Sequence, residues 1–360
     1  MSTACPRTLA RQAGRLRFVT ATPANVAQGS GTYVGIATLR RALEELGAEV
    51  ELVAAPPGPA GTWRRLWFNW RLRRLPAGED ATIVGFDLDG LFLPRRKGRS
   101  IAALKGVRAE EARWERGWTR MALSLEAWLE AWRARRADAV VVTSRYAAAA
   151  VGRRYGVAPE RIRVVPELID LAAWQELLAR APRRAHTRPT LLCVAHLYPR
   201  KDVATLLEAM AGLEANAELR IVGTGPERRR LERRTRRLGL TERVRFLGHI
   251  PRQALAREYR SADIFCLPSR QEGFGIVLLE AMAAGLPIVA ARAAAIPEVV
   301  AEPEGGILFP PGDAAALRQV LVELLGDAAR RQELAAAGLR RVRRYDAARV
   351  AGEFLAALED

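Results

Sequence analysis

The sequence predicts an α/β protein built as two doubly wound domains. Three observations carry this. The chain has 360 residues, which at roughly 100–200 residues per domain is enough for two separate cores. Short apolar runs alternate with segments of helical periodicity, the pattern of parallel sheets flanked by helices. The alternation also runs twice, on either side of a stretch rich in Pro, Arg, His and Thr, residues 181–189, which reads as a linker.

Residues 1–14 are basic and rich in small side chains and read as a disordered tail. The first domain, 15–180, opens with a strand at Leu16–Thr20. A loop, Ala21–Thr32, follows, then a helix over about Tyr33–Leu46 closed by Gly47. Strands follow at Glu49–Ala54, Ala81–Phe86 and Ser100–Leu104. A long helix over Ala109–Arg136 leads to strands at Ala139–Thr143 and Arg161–Val165. The second domain, 190–345, restarts with a strand at Thr190–Ala195. Helices at Val203–Leu213, Glu227–Leu238, Gln253–Ser261 and Ile276–Ala284 alternate with strands at Glu218–Val222, Val244–Leu247, Ile264–Leu267 and Pro287–Ala290. From Ala314 the chain is helical, and residues 346–360 form a last helix placed to pack back on the first domain. Ligands of doubly wound sheets bind beyond the carboxyl ends of the strands. Two such domains facing a central cleft would put the site on strand-to-helix loops.

Composition excludes several classes. No apolar run reaches the roughly 18–20 residues of a membrane span, and the start of the chain has no apolar segment of a secretory signal. Cys5, Cys193 and Cys266 are too few and scattered for a disulfide framework or zinc site, so the chain reads as reduced and cytoplasmic. The formal net charge is +17, yet only Lys97, Lys105 and Lys201 are lysines. Such an arginine skew beside abundant alanine looks like coding bias, so the position of a cation says more than the total.

The sharpest motif runs from Glu272 to Glu280: Glu-Gly-Phe-Gly-Ile-Val-Leu-Leu-Glu. It follows the strand at Ile264–Leu267. Gly273 and Gly275 let the backbone approach a ligand, and the helix beginning at about Ile276 turns its free N–H groups and positive dipole end to that ligand, which suits a pyrophosphate. Glu280 lies one turn on, where a carboxylate can accept from two neighbouring hydroxyls such as those of a ribose. Otherwise Glu272 is an ordinary acid stabilising a helix start and Glu280 an exposed helical glutamate, though the apolar residues around Glu280 demand a partner for it.

This motif, continued as Ala281-Met282-Ala283 and then Gly285 and Pro287, resembles the donor motif of the retaining glycosyltransferases of family four, which have the GT-B fold. Gly223-Thr224-Gly225-Pro226, Val244–Gly248, Pro297-Glu298, Gly305–Leu308 and Val164-Val165-Pro166 with Ile169-Asp170 resemble that family's companion motifs, in order. The resemblance implies a nucleotide-sugar donor and a hydroxyl acceptor, with no cofactor and no metal required. It implies that Glu272, Phe274 and Gly275 meet the donor sugar, that Ile276 and Val277 cradle the diphosphate, and that Glu280 holds the ribose. Lys201 matches a family lysine on the diphosphate. His196 stands where the family has an arginine, and Arg200 is placed to substitute. A paired cation stabilises the charge developing on a leaving diphosphate.

In the first domain, Gly29-Ser30-Gly31 occupies the place of the family's glycine loop. Lys105 lies where the family often has a histidine and would face the phosphates or the sugar. Asp87 and Asp89 follow a strand and would contact an acceptor hydroxyl or act as its base. Turn chemistry explains them equally well, and a magnesium site less well. Trp63, Leu66, Trp67 and Trp70 share one helical face, with Arg64, Arg65, Arg71 and Arg74 around it. The segment Trp63–Leu75 therefore fits either a helix lying on an anionic membrane or a domain helix burying its Trp stripe. The first fit favours a lipid-linked acceptor of the cell envelope and a peripheral place on the inner face of the plasma membrane.

Three rivals are weaker. A dinucleotide oxidoreductase needs a third glycine at position 34, where Val34 stands. A nucleic-acid-binding protein has no use for Glu272 or Glu280 and shows no specific recognition motif. An epimerase or phosphorylase of GT-B type shares the motifs and differs in its product.

Overall fold

The computed structural model describes residues 6–22, 31–56, 61–74, 81–93, 98–184, 187–214 and 216–359. The chain forms two compact units, Met1–Leu168 with Tyr345–Asp360, and Ile169–Arg344.

The first unit contains β1 (Arg15–Thr20), β2 (Glu49–Ala54), β3 (Thr82–Phe86), β4 (Ser100–Leu104), β5 (Ala139–Val142) and β6 (Ile162–Val164). They make one parallel sheet in the order β2-β1-β3-β4-β5-β6. Its central strands are buried almost throughout, because helices cover both faces. The helices are α1 (Pro6–Gln12), α2 (Gly31–Glu45), α3 (Thr62–Arg71), α4 (Arg108–Glu111), α5 (Gly117–Arg136) and α6 (Arg145–Tyr155).

The second unit repeats the plan. It holds α7 (Leu171–Arg180), β7 (Thr190–Val194), α8 (Val203–Ala211), β8 (Glu218–Val222), α9 (Arg228–Arg237), β9 (Val244–Gly248), α10 (Arg252–Ser261) and β10 (Ile264–Leu267). It continues through α11 (Ile276–Ala283), β11 (Ile288–Ala291), α12 (Ile296–Val300), β12 (Ile307–Phe309), α13 (Ala314–Gly326) and α14 (Ala328–Val342). The strand order is β12-β11-β10-β7-β8-β9. A last helix, α15 (Ala347–Glu359), belongs to the first unit, where Val350, Phe354, Leu355 and Leu358 enter the core with Phe18 and Phe86.

Three expectations need correction. Residues 6–12 of the supposed tail are helix α1, because Leu9 and Ala10 have a core to enter beside α15. The helix expected over Ala109–Arg136 is two, α4 and α5, separated by a turn that ends at Gly117 with φ of 55°, a left-handed value no helix interior holds. The boundary between units falls at Ile169 and not at 181–189. Helix α7 goes with the second unit because Trp174 is fully buried there, edge-on to Tyr259 with ring centroids 5.6 Å apart. Arg184, within the supposed linker, is also tied down, since its N–H donates to Ser261 Oγ at 2.8 Å.

On the inner side of α5, Glu130 is fully buried. Its Oε2 accepts from the Tyr155 hydroxyl and from the Arg108 backbone N–H. Burial, and then the nearby Asp87 carboxylate, push its pKa up to about 8. Its proton is thus held more tightly in the folded chain than in the unfolded one, so Glu130 makes stability fall as pH rises from the ordinary carboxylate range to about 8. Glu130→Gln is expected to flatten that slope, measured as Tm against pH. An equally steep fall in the variant would assign the slope to other groups.

Candidate functional site

In the second unit the connections run from β7 through β8 to β9 on one side and from β10 through β11 to β12 on the other. The direction reverses between the neighbouring strands β7 and β10, the place where doubly wound sheets bind ligands. The loops leaving these two strands are joined by three contacts. Lys201 Nζ lies 2.6 Å from Glu272 Oε1, with both side chains largely buried. The Arg270 N–H donates to the Arg200 carbonyl at 2.8 Å, and Arg270 Nε donates to Asp202 Oδ2 at 2.6 Å. Asp202 takes a left-handed φ of 45°, which turns the chain from the Pro199–Lys201 turn into α8.

After Glu272 the chain passes through Gly273 and the buried Phe274 to Gly275, whose φ of 95° lets α11 start abruptly. No side chain caps this helix, and its first turn holds no acid. The positive end of α11, at Ile276 and Val277, is therefore left uncompensated by side chains. Two further polar atoms belong to the same loop. Ser269 Oγ and Gln271 Nε2 are buried and make no hydrogen bond within the structure. Folded proteins leave few such atoms unmatched, so each calls for a partner.

Glu280 sits one turn further along α11. Tyr259 donates its hydroxyl to Glu280 Oε2 at 2.9 Å, and Trp174 Nε1 donates to the Glu280 carbonyl at 3.1 Å. Burial raises the pKa of Glu280, opposed by the Tyr259 hydrogen bond and the Arg252 charge. An ammonium, two carboxylates, an uncapped helix start and unmatched polar atoms on adjoining loops can together hold a polyhydroxylated anion.

The other sequence candidates of this unit have different local explanations. Gly223 and Gly225 permit close packing of backbones. A Cβ on Gly223 would lie 2.0 Å from the Ala195 carbonyl oxygen, and one on Gly225 would lie 2.5 Å from that of Leu197. The two loops also exchange hydrogen bonds, Leu197 N–H to Thr224 O at 2.8 Å and Glu227 N–H to Leu197 O at 2.9 Å. His196 is exposed beside Tyr198, and the Arg200 guanidinium lies over the Tyr198 ring at 4.8 Å.

In the first unit, Lys105 does not present an uncompensated cation. Its Nζ is 2.9 Å from Glu167 Oε2 in a nearly buried pair. Asp89 is fully buried and accepts from Ala21 N–H, from Arg65 Nε and Nη2, and from Asn69 Nδ2. Asp87, held at φ of 55°, accepts from the Lys105 N–H and lies within 3.4 Å of Arg65 and 3.7 Å of Arg108. The expectation that Asp89 serves an acceptor hydroxyl is corrected here. Its oxygens are consumed in fixing α3 to the ends of β1 and β3. Gly31 is the first residue of α2, and Gly29 lies outside the described residues.

Comparison with known proteins decides the family. A model described as Glycosyltransferase Family 4 matches residues 29–173, and one described as Glycosyl transferases group 1 matches 175–341. The chain belongs to glycosyltransferase family four. It is 40% identical over 195 residues to a phosphatidyl-myo-inositol mannosyltransferase of Mycobacterium leprae, covering 53% of this chain and 51% of that one. It is 36% identical over 225 residues to a D-inositol 3-phosphate glycosyltransferase of Geodermatophilus obscurus, covering 57% and 48%. The chain thus spans about half the length of the curated relatives it matches. Among solved structures, sucrose-phosphate synthase from Thermosynechococcus elongatus superposes with a TM-score of 0.78 at 22% identity, over 94% of this chain and 96% of that one. WaaG, a glycosyltransferase involved in lipopolysaccharide biosynthesis, gives 0.71 at 20% identity, over 94% and 98%. These likenesses are of fold, the GT-B class of two doubly wound domains.

For this family-four chain, sequence reasoning missed Tyr259, Trp174, Ser269 and the Asp202–Arg270 bridge. Ser269 stands three residues before the motif and could have been weighed with it. Tyr259 and Trp174 lie 21 and 106 residues from Glu280, and only the fold brings them together. Tyr259→Phe deletes a buried donor to a carboxylate and is expected to lower unfolding free energy by about 1–3 kcal/mol in denaturant titration. An unchanged midpoint would show that water or another donor replaces the hydroxyl.

Proposed function

We propose that the protein moves a hexose from a nucleoside-diphosphate sugar to a hydroxyl acceptor with retention at the anomeric carbon. The observation that carries this is the Lys201–Glu272 pair set beside the uncapped start of α11. The Ile276 and Val277 N–H groups, Lys201 and Arg200 take the diphosphate. Glu272 and the Gly273–Gly275 backbone take the sugar hydroxyls, with Gln271 and Ser269 supplying buried polar atoms nearby. Glu280, aimed by Tyr259, accepts from the ribose diol. The bond from the anomeric carbon to the diphosphate oxygen breaks, the acceptor oxygen bonds to that carbon from the same face, and its proton passes to the departing phosphate. The chain supplies positioning and charge stabilisation and needs no nucleophile of its own.

The names of the relatives support a mannosyl donor and an inositol-bearing acceptor. A lipid-linked form of that acceptor agrees with α3. This helix buries Phe68, Asn69 and the head of Arg65, while Trp63, Trp67 and Trp70 are 82%, 51% and 42% exposed. The Trp stripe is therefore not buried in its own domain. Among the described residues no helix is long and apolar enough to cross a membrane, so peripheral attachment is the form proposed.

Glu280→Ala is expected to weaken GDP or UDP binding roughly 10–100-fold in calorimetry, the worth of a charge-assisted hydrogen-bond pair. Glu272→Ala strands Lys201 and is expected to lower stability, but a bound diphosphate can pair with the freed ammonium, so nucleotide binding is expected to stay within a few-fold while turnover falls by about 100-fold or more. Normal sugar-nucleotide turnover in both variants would remove the site from this unit. The raised pKa of Glu280 means its ionised form is lost on acidification earlier than an ordinary glutamate's. Nucleotide affinity should therefore weaken as pH falls toward that range, and Glu280→Gln should abolish the dependence. For α3, vesicle co-sedimentation of a Trp67→Glu, Trp70→Glu double variant is expected to show less binding than wild type; equal binding would refute attachment through this helix.

A further inference from the structure

We infer that α5 and α3 together form a docking surface for an anionic phospholipid bilayer, with α5 contributing a second row of inserting side chains. The inference deepens the lipid-acceptor reading above and rests on it for its biological use. Its observations are its own.

Helix α5 leaves several of its largest apolar side chains in solvent. Its inward face carries Ala127, Ala131 and Ala134 with Glu126, Glu130 and Arg133. Its outward face carries Trp118, Met121, Leu125 and Trp128, which are 83%, 61%, 43% and 61% exposed. Their spacing of three, four and three residues puts them on one stripe. A helix that only completed a core would turn these side chains inward. Helix α3 likewise seats Asn69 and the head of Arg65 inward beside Phe68 while leaving its tryptophans exposed.

The two helices lie on the same side of the sheet. Helix α3 connects β2 to β3 and α5 connects β4 to β5. Both crossovers run in one direction across the strand order, and right-handed connections place them on one face. Thr62 at the start of α3 donates its hydroxyl to Glu126 in the middle of α5 at 2.7 Å, so the helices are neighbours.

Charge selects the occupant. Both acids of α5 are turned inward, Glu126 to Thr62 and Arg108, Glu130 to Tyr155, and α3 has no acid at all. Arginines frame the apolar residues instead. Arg71 stacks over Trp67 at 4.7 Å, Arg73 over Trp70 at 4.6 Å and Arg136 over Trp132 at 4.4 Å. A second copy would bring arginines against arginines. A bilayer with anionic headgroups meets both halves of the surface, taking the rings at the acyl boundary and the guanidinium groups at the phosphates.

The test is flotation of the full chain with vesicles of phosphatidylcholine alone or mixed with phosphatidylglycerol, without sugar nucleotide. Wild type should float with the mixed vesicles and lose binding as salt rises. Trp118→Glu, Trp128→Glu, with α3 intact, should reduce partitioning at least about tenfold, while the Phe, Phe variant should retain it. The Tm of each should match wild type, because the side chains are exposed. Wild-type partitioning by the Glu, Glu variant overturns the inference. So does a wild-type dimer in sedimentation that this variant dissociates without any vesicle binding. GDP and UDP binding, measured in parallel, separates the two readings: nucleotide binding without flotation sinks only this inference, and flotation without nucleotide binding sinks only the donor site.

Discussion

An ammonium and a carboxylate 2.6 Å apart, both largely withdrawn from water, hold together the two loops on which the candidate site is built. Neither charge could remain there alone, because a stranded ion at that depth is strongly destabilising. The pair therefore fixes the spacing between the end of β7 and the end of β10. The neighbouring contacts reinforce the same seam, backbone to backbone at Arg270 and Arg200 and side chain to side chain at Arg270 and Asp202. Gly275 then delivers the start of α11 to one side of this seam, and Tyr259 aims Glu280 on the far side of that turn.

The first unit spends its acids differently. Asp89 gathers an arginine, an asparagine and a backbone N–H around one buried carboxylate, and Asp87 engages two guanidinium groups beside it. The bonds to Asp89 are charge-assisted, each about twice as strong as a neutral one. This is why α3 can seat itself through Arg65 and Asn69 and leave its indoles outside. The outward tryptophans of α3 follow from the polar anchor beneath them. On α5 the turned-in Glu126 and Glu130, with their bonds to Thr62, Arg108 and Tyr155, have the corresponding effect.

Periodicity made nearly every strand legible, because parallel strands buried on both faces are short apolar runs bounded by turns. The run from Glu272 to Glu280 was legible for the same reason: its parts are contiguous, and glycine before a helix has few other uses. What could not be read depended on residues distant in the chain. Asp87 and Asp89 looked available because the guanidinium of Arg65, more than twenty positions earlier, is invisible from a strand-end motif. Lys105 looked uncompensated because Glu167 lies 62 residues on. Gly223 and Gly225 could be read only as a motif resembling the family's, and the close approach they allow to the backbone at 195–197 shows only in the fold. The stripe on α5 went unread because Leu123 and Leu129 blur its pattern, and only exposure separates the two faces.

The return of α15 to the first unit has a bearing on synthesis. Phe18 and Phe86 are made well before Phe354, yet their edge-on aromatic cluster needs all three. As the ribosome works through the intervening residues, the second unit can close on itself, while the older lobe waits with an open hydrophobic seam. A nascent chain of this protein thus carries an unfinished body ahead of a finished one. Chaperone demand should fall on the first unit until residues 347–359 emerge from the exit tunnel.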